Sequence, residues 1–193
     1  MSQAAVQVEV EPLFSSTHAA LVFAFNFSHQ AYDRPVMNRM SDGPKRSGKG
    51  LVGLDGAGQA GMIRAAVDAL GREEAMVITA RFAPRRDACE CKRPCCSGWV
   101  PGREWRGAIE HLTEYVLRMA LAGCVSHYRL RNGIVRRVFG EDVKLVDIAE
   151  VAGVNRDTVA EHAKRINKHL SGIEGRAMKA IDEKLYLDGI IER

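Results

Sequence analysis

The chain has 193 residues, 46% of them hydrophobic, so it is long enough for one ordinary domain or two small ones with a real core. This composition excludes wholesale disorder and collagen-like repetition, and the 6% aromatic content argues against an all-β sandwich. The formal net charge of +4 permits a polyanionic partner without requiring one.

No membrane partner is expected from the sequence. The longest uncharged apolar run, residues 19–25, is far shorter than the roughly 20 residues that cross a bilayer. Residues 1–11 also lack the basic region with which a signal peptide starts. We therefore expect a cytoplasmic protein.

The N-terminal region, residues 1–84, is predicted to be helical around a glycine-rich basic loop. Apolar spacing predicts a helix over residues 18–40, which Pro35 should end or kink. Residues 41–61 contain seven glycines among basic and small residues, so we expect a loop there, without regular structure before Gln59. Helices are then predicted over residues 62–70 and 72–82, ending near Pro84.

Part of this loop, GPKRSGKG at residues 43–50, superficially matches a phosphate-binding loop. Gly50 stands where a magnesium-binding Ser or Thr is needed, and no hydrophobic strand precedes the segment. We interpret the segment as a flexible basic loop that could contact nucleic acid or a protein, the alternative being a solvated linker. No Ser/His/Asp or paired-carboxylate arrangement stands out elsewhere, so an enzyme is not expected.

Residues 85–103 form a cysteine-rich region in which four cysteines fall within eight residues: Cys89, Cys91, Cys95 and Cys96. This spacing is too tight for ordinary disulfide pairing in a cytoplasmic chain. Pro94, Gly98 and Pro101 argue against a regular element over residues 89–102. Thiolates are good zinc ligands, and a loop without its own core gains folding energy from a metal.

Two interpretations of the four cysteines stay open. Either they hold a structural zinc ion, or they are reduced thiols in a basic loop. Both pairs are closer than the usual C-x-x-C spacing, and His111, Cys124 and His127 are the candidates for completing a tetrahedral site.

The C-terminal region, residues 104–193, is predicted to be a helical domain. Amphipathic spacing predicts helices over residues 104–122 and 126–139, and a helix-turn-helix over residues 143–170. A break is expected at Ser171 and Gly172, followed by a closing helix over residues 173–187.

The sequence LVDIAEVAGVNRDTVAEHAK, residues 145–164, meets most physical requirements of a DNA-reading helix-turn-helix. Leu145, Ile148 and Val151 are expected to supply the inward face of the first helix, and Ala149 permits a close helix crossing. Gly153 provides the left-handed residue that a tight turn needs.

The second helix of this motif is predicted to have a buried and a polar face. Val154 should pack from the turn into the core, and Asn155 should cap the helix. The buried stripe of this helix is expected to comprise Val159, Ala163 and Ile166. His162 departs from the motif, which usually has an aliphatic residue there. The solvent face should present Asn155, Arg156, Asp157, Thr158, Glu161, Lys164 and Arg165. Such a face suits a major groove, although a helical hairpin in a larger bundle is the alternative.

We therefore predict a mainly α fold: a helical body, a cysteine-containing loop and a C-terminal helix-turn-helix module. Residues 145–170, ending in AKRINKHL, resemble the helix-turn-helix shared by sigma-factor region four and the phage late-gene antitermination proteins of the Q type. The overall layout is more similar to the Q-type proteins than to sigma factors.

The resemblance implies a transcription regulator in the host bacterial cytoplasm. Such a protein binds double-stranded DNA at a phage late promoter, engages bacterial RNA polymerase and its sigma factor, and suppresses pausing and termination. It implies a DNA-reading role for Asn155, Arg156, Thr158, Glu161, Lys164 and Arg165. Some members of that family carry paired C-x-x-C zinc knuckles, a spacing that Cys89 to Cys96 do not reproduce.

Two other functions fit the same residues. One is a conventional dimeric helix-turn-helix repressor or activator, which would read a palindrome. The other is a phage DNA-packaging adaptor that uses the motif in an oligomeric ring.

Overall fold

The computed structural model describes residues 12–31, 53–89, 91, 93 and 96–192. Over these residues the protein is mainly helical, with seven helices and one two-stranded sheet, which confirms the prediction of a mainly α protein. The helices are α1 (Thr17–Ala31), α2 (Gly53–Asp68), α3 (Arg72–Phe82), α4 (Arg103–Arg118), α5 (Tyr128–Val138), α6 (Leu145–Ala152) and α7 (Arg156–Leu187). The antiparallel strands are β1 (Arg86–Ala88) and β2 (Trp99–Pro101). No helix in the described part of the chain has both the length and the apolar character of a membrane span.

The chain forms two compact units, Met1–Ala66 with Ile181–Arg193, and Val67–Ala180. In the first unit, the Thr17 hydroxyl donates to Oδ1 of Asp182 at 2.5 Å. In the same unit, the guanidinium of Arg64 lies 4.6 Å from the centre of the Phe25 ring and forms a cation–π contact with it.

The second unit has a core built from amphipathic helices. In α4 the apolar residues recur at helical spacing, so Trp105, Ile109, Leu112 and Val116 are all buried on one side. Helix α4 packs against α3 and α5, and α5 packs against α6. These contacts fix the position of α6, with which the candidate site begins.

Arg81 links α3 to α7 within this unit. Its Nε and Nη2 each donate to the Glu174 carboxylate at 2.8 Å, and its guanidinium lies 5.1 Å from the Phe139 ring centre. A bidentate guanidinium–carboxylate pair that also stacks on an aromatic ring fixes direction better than a single contact. The middle of α7 is thereby held in one orientation.

The structure corrects three predictions about element boundaries: the loop over residues 41–61, the break at Ser171 and Gly172, and the absence of a regular element over residues 89–102. The loop predicted over residues 41–61 is wrong from Gly53 onward, because α2 begins there. The reason is a stripe of small and apolar residues at spacings of four, three and four, namely Gly56, Ala60, Ile63 and Val67, which are buried on one side of the helix. Of the helix predicted over residues 18–40, α1 covers the first part, and residues 32–40 lie outside the described residues.

The break predicted at Ser171 and Gly172 does not occur, since α7 is continuous from Arg156 to Leu187. Both residues lie on the exposed side of the helix, while Leu170, Ile173 and Ala177 continue its buried stripe. The cost of one exposed glycine, about 1 kcal/mol, is smaller than the gain from that stripe.

The cysteine region also differs from its prediction. Strand β2 falls inside residues 89–102, where no regular element was expected, and pairs with β1 in the register Arg86 with Pro101 and Ala88 with Trp99. Pro101 is tolerated because it is the last residue of a short edge strand.

Candidate functional site

Helices α6 and α7 are joined by a turn of three residues, 153–155, that Gly153 makes possible. Gly153 has φ +64° and ψ +35°, the left-handed conformation that side-chain-bearing residues rarely adopt. Its N–H donates to the Glu150 carbonyl at 3.2 Å, and the Val154 N–H donates to the Ala149 carbonyl at 3.0 Å. These bonds satisfy the last carbonyls of α6 and turn the chain directly into α7.

The inner side of α6 crosses α5 closely. Ile148 and Ala149 are buried, and a Cβ built on Gly133 of α5 would lie 3.2 Å from Cγ1 of Ile148. The prediction that Val151 faces inward is wrong, because its side chain is 70% exposed. The buried arc of this eight-residue helix runs through Ile148 and Ala149, and Val151 lies to the side of that arc.

The inner side of α7 has the predicted stripe, with Val159 and Ile166 fully buried and Ala163 half-buried. His162 completes it and is only 5% exposed. Burial, followed by the positive charge of Arg165, holds the pKa of His162 below its ordinary value. The imidazole is therefore neutral at neutral pH and packs where an aliphatic side chain is usual.

The outer side of α7 carries the residues predicted to read DNA, and all six are exposed: Asn155, Arg156, Thr158, Glu161, Lys164 and Arg165. The Oδ1 atom of Asn155 accepts from the Asp157 N–H at 2.8 Å, so Asn155 caps the helix as its position predicts. Arg156 and Lys164 form no ion pair with another described residue, but the charge of Lys164 contributes to holding the pKa of Glu161 below its ordinary value.

Two of the six exposed residues are engaged with each other. Arg165 Nε donates to the Glu161 carboxylate at 2.8 Å, and this hydrogen bond is the main reason that the pKa of Glu161 lies below its ordinary value. Arg165 Nη1 also lies 3.4 Å from the Sγ atom of Cys124. Sequence reasoning missed this contact, since nothing in the spacing of residues 124 and 165 predicts it.

A second candidate site lies where β1 runs into the cysteine loop. The Sγ atoms of Cys89, Cys91 and Cys96 all lie within 4.8 Å of one another, and all three are free thiols. Cys95, also predicted to be a ligand, lies outside the described residues. Within the described part of the chain, the three thiols are not joined by the other suggested ligands, His111, Cys124 and His127.

Backbone hydrogen bonds hold this thiol cluster at the end of the β1–β2 hairpin. The Cys89 N–H donates to the Gly98 carbonyl at 2.8 Å, and the Cys96 N–H donates to the Arg93 carbonyl at 3.0 Å. The Gly98 N–H points at the Sγ atom of Cys96 at 3.4 Å, and Gly98 has φ +79°. An N–H directed at sulfur stabilises a thiolate, the form in which cysteine binds a metal.

Local hydrogen bonds separate the acidities of two of these thiols. The Arg93 N–H, and then the thiols of Cys89 and Cys96, hold the pKa of Cys91 below its ordinary value. The pKa of Cys89 lies above its ordinary value. A hydrogen bond from the Cys91 N–H lowers this pKa, but the hydrogen bonds with the Cys91 and Cys96 thiols together raise it by more. Three converging sulfurs with one acidic member can hold a metal ion that accepts thiolate ligands.

The basic loop with Lys45, Arg46 and Lys49, including the segment that resembles a phosphate-binding loop, lies outside the described residues. Sequence reasoning also missed the hairpin that presents the thiol cluster. The available signal was the pair of short stretches flanking the cysteines, of which Trp99 and Val100 have high strand propensity.

The chain was compared with known proteins. No family model matches it, and no curated protein matches it either.

Proposed function

We propose that the chain is a DNA-binding transcription regulator, in which α6 and α7 form a helix-turn-helix module and α7 enters the major groove of double-stranded DNA. One observation carries this proposal. Directly after the left-handed Gly153 turn, α7 buries Val159, His162 and Ile166 on one side and exposes six polar residues on the other. A major groove admits a helix with such a face.

The charges on that face agree with a duplex partner. Arg156, at the start of α7, can take the O6 and N7 edge of a guanine, while the first-turn N–H groups that Asn155 does not cap favour a phosphate. Lys164 lies two turns further along and suits the sugar–phosphate backbone. Arg165 reaches DNA only by leaving Glu161, so we assign it a smaller contribution than Arg156.

Within this class, we propose a phage late-gene antiterminator of the Q type. It would bind DNA near a late promoter, engage bacterial RNA polymerase and its sigma factor, and suppress pausing and termination. Support comes from the resemblance of residues 145–170, and from the combination of a helix with an exposed polar face and a separate cysteine hairpin in one chain.

We further propose that the thiol cluster binds a structural zinc ion. Cys89, Cys91 and Cys96 supply three of the four ligands that tetrahedral zinc requires, and Cys95 is the nearest additional cysteine in the sequence. The hairpin has little core of its own, so a metal would supply the folding energy that burial does not.

DNA reading is tested by fluorescence anisotropy of labelled duplexes with Arg156→Ala and Lys164→Ala. The Arg156 variant should lose about 1–3 kcal/mol of binding free energy and discriminate less at one base pair. The Lys164 variant should weaken binding to all sequences alike and reduce the salt dependence. Arg176→Ala, an exposed arginine three turns beyond Lys164 on the same helix, is the matched control. Equal binding by the wild type and both variants would remove α7 from the interface.

Antitermination is tested by single-round transcription with host RNA polymerase on a late-promoter template that carries a downstream terminator. The proposal predicts greater read-through at unchanged initiation. Changed initiation with unchanged read-through would instead identify a conventional repressor or activator. No effect on either, together with ring-sized oligomers in light scattering, would identify a packaging adaptor.

A further inference from the structure

One face of the β1–β2 hairpin is left uncovered by the rest of the described chain. In an antiparallel pair, residues directly opposite each other point to the same side. The register therefore puts Arg86, Ala88, Trp99 and Pro101 on one face, with Arg86 diagonal to Trp99. All four are exposed, and Trp99 is 57% exposed.

This exposure of an indole is unusual for the molecule. The other tryptophan, Trp105 at the start of α4, is 5% exposed and belongs to the core. Trp99 fills no such role, since its neighbours on the face are themselves exposed. A large aromatic surface that the fold does not use is available to a ligand.

The residue diagonal to Trp99 on this face is a cation. Arg86 is exposed and forms no ion pair with another described residue. Asp87 lies on the opposite face of the hairpin, where its Oδ2 accepts from the Arg103 N–H at 3.0 Å. The charge next to the indole therefore complements a polyanion.

We propose that this face binds single-stranded nucleic acid, with a base stacked on Trp99 and an adjacent phosphate held by Arg86. An exposed indole with an arginine beside it suits a single strand, because every base has an aromatic face. A duplex hides those faces within its stack, so double-stranded DNA would not use Trp99 in this way. The site is separate from the proposed groove-binding face of α7.

The thiol cluster positions this face. The hydrogen bond from Cys89 to the Gly98 carbonyl closes the hairpin immediately before Trp99, and the Gly98 N–H points at Cys96. The orientation of the indole thus depends on the same loop that gathers the three sulfurs. We accordingly expect single-strand binding to weaken when that loop is unfolded.

The test is a titration of the full chain with labelled oligothymidylate of about 12 nucleotides, a length that covers one compact binding surface. Three further probes are used: an oligouridylate and an abasic strand of the same length, and a DNA duplex. Trp99 emission should be quenched by the two base-bearing strands, while Trp105, retained alone in Trp99→Phe, should not respond. Trp99→Ala should weaken single-strand binding roughly 5- to 100-fold, and Trp99→Phe should keep most of it.

Arg86→Gln should weaken single-strand binding and reduce its salt dependence. Val100→Ala is the matched control, because Val100 lies on the opposite face of the same strand and is 41% exposed. It should bind like the wild type. Circular dichroism establishes that the helices of each variant are folded, and Trp99→Phe, which keeps an aromatic ring, supplies the test if Trp99→Ala disturbs the hairpin.

Two results would overturn the proposal: single-strand affinity unchanged in Trp99→Ala, or an abasic strand that binds as tightly as oligothymidylate. The first result would indicate that Trp99 binds a protein partner instead of nucleic acid. The second would indicate that the face binds anions in general and that no base stacks on Trp99. Failure here is distinguishable from failure of the proposed function. Arg156→Ala should weaken only duplex binding, and Trp99→Ala only single-strand binding.

Discussion

The helix pair α6–α7 and the cysteine hairpin reach a defined shape in different ways. In the helix pair, apolar side chains such as Ile148, Val159 and Ile166 are buried on both sides of a tight turn. In the hairpin, by contrast, every described residue from Arg86 to Pro101 is exposed or only half-buried. Hydrophobic burial can therefore account for the first region, whereas the second is held by backbone hydrogen bonds around three thiols that lie close enough together to bind a metal ion.

The largest expected effect is a loss of bound metal from the hairpin that leaves the helix pair unchanged. Cys96→Ser removes one of three converging sulfurs, so the metal bound to protein purified without chelator should fall from about one ion per chain to near none. Metal content is measured by atomic emission. Far-ultraviolet circular dichroism of the helices should change little, because the core of the helical unit does not include Cys96.

Cys124→Ser is the matched control, since Cys124 is a free thiol outside the cluster and contacts Arg165 instead. It should retain the metal. If wild-type protein purified without chelator carries no metal, the three cysteines are simply reduced thiols, and the hairpin depends on its hydrogen bonds alone.

The next effect concerns the helix pair. Ile166→Ala empties a fully buried position in α7 and should lower the free energy of unfolding by about 2–5 kcal/mol. Urea denaturation measures it. Val151→Ala, which removes a 70% exposed side chain from α6, should change stability by less than about 0.5 kcal/mol. Similar losses in the two variants would show that the interior of this pair is not the one described.

The turn between these helices is the third test. Gly153→Ala meets no atom within 4 Å, so its cost is backbone strain at φ +64° and should be about 1–2 kcal/mol. Gly175→Ala is likewise unobstructed but lies inside α7, where alanine favours the helix by roughly 0.5–1 kcal/mol. The two substitutions should thus have opposite signs in thermal denaturation. The same sign in both would contradict the left-handed turn.

The same contrast explains what the sequence could predict. Periodicity located α3 at residues 72–82 and the stripe of Val159 and Ile166, because burial on one helix face leaves a repeat in the sequence. Sequence periodicity did not predict the helix that begins at Gly53 or the continuity of α7 at Ser171. Glycine and serine are typical of breaks, but in each helix a stripe of buried residues is present. Exposed turn residues alone do not end a helix.

The sites were predictable to different degrees. The exposed polar face of α7 follows from helical geometry once the buried stripe is known. The approach of Cys89, Cys91 and Cys96 was suggested by their spacing, but the hairpin that gathers them depends on the bond from Cys89 to Gly98, which leaves no periodic signal. The exposure of Trp99 depends on strand register and was not predictable.

The smallest effect concerns the one residue of the helix pair that departs from an apolar interior. His162 is buried with no hydrogen-bond partner for Nδ1 among the described residues, and it is held neutral. His162→Leu fills the position with an aliphatic side chain, so the free energy of unfolding near pH 7.5 should rise by up to about 1 kcal/mol.

The same substitution should also change how stability depends on pH. The pKa of His162 in the folded protein lies below its ordinary value of 6.5. Just below pH 6.5, His162 therefore binds a proton in the unfolded chain but not in the folded protein. Wild-type stability should therefore fall as the pH drops from 6.5 towards the lowered pKa, and His162→Leu should remove part of that fall. His111, whose pKa is also lowered by burial, then by Arg72, supplies a second part that the substitution leaves intact. Urea denaturation at about pH 7.5 and about pH 5.5 measures the difference, and an identical pH dependence in the two proteins would mean that His162 already titrates freely when folded.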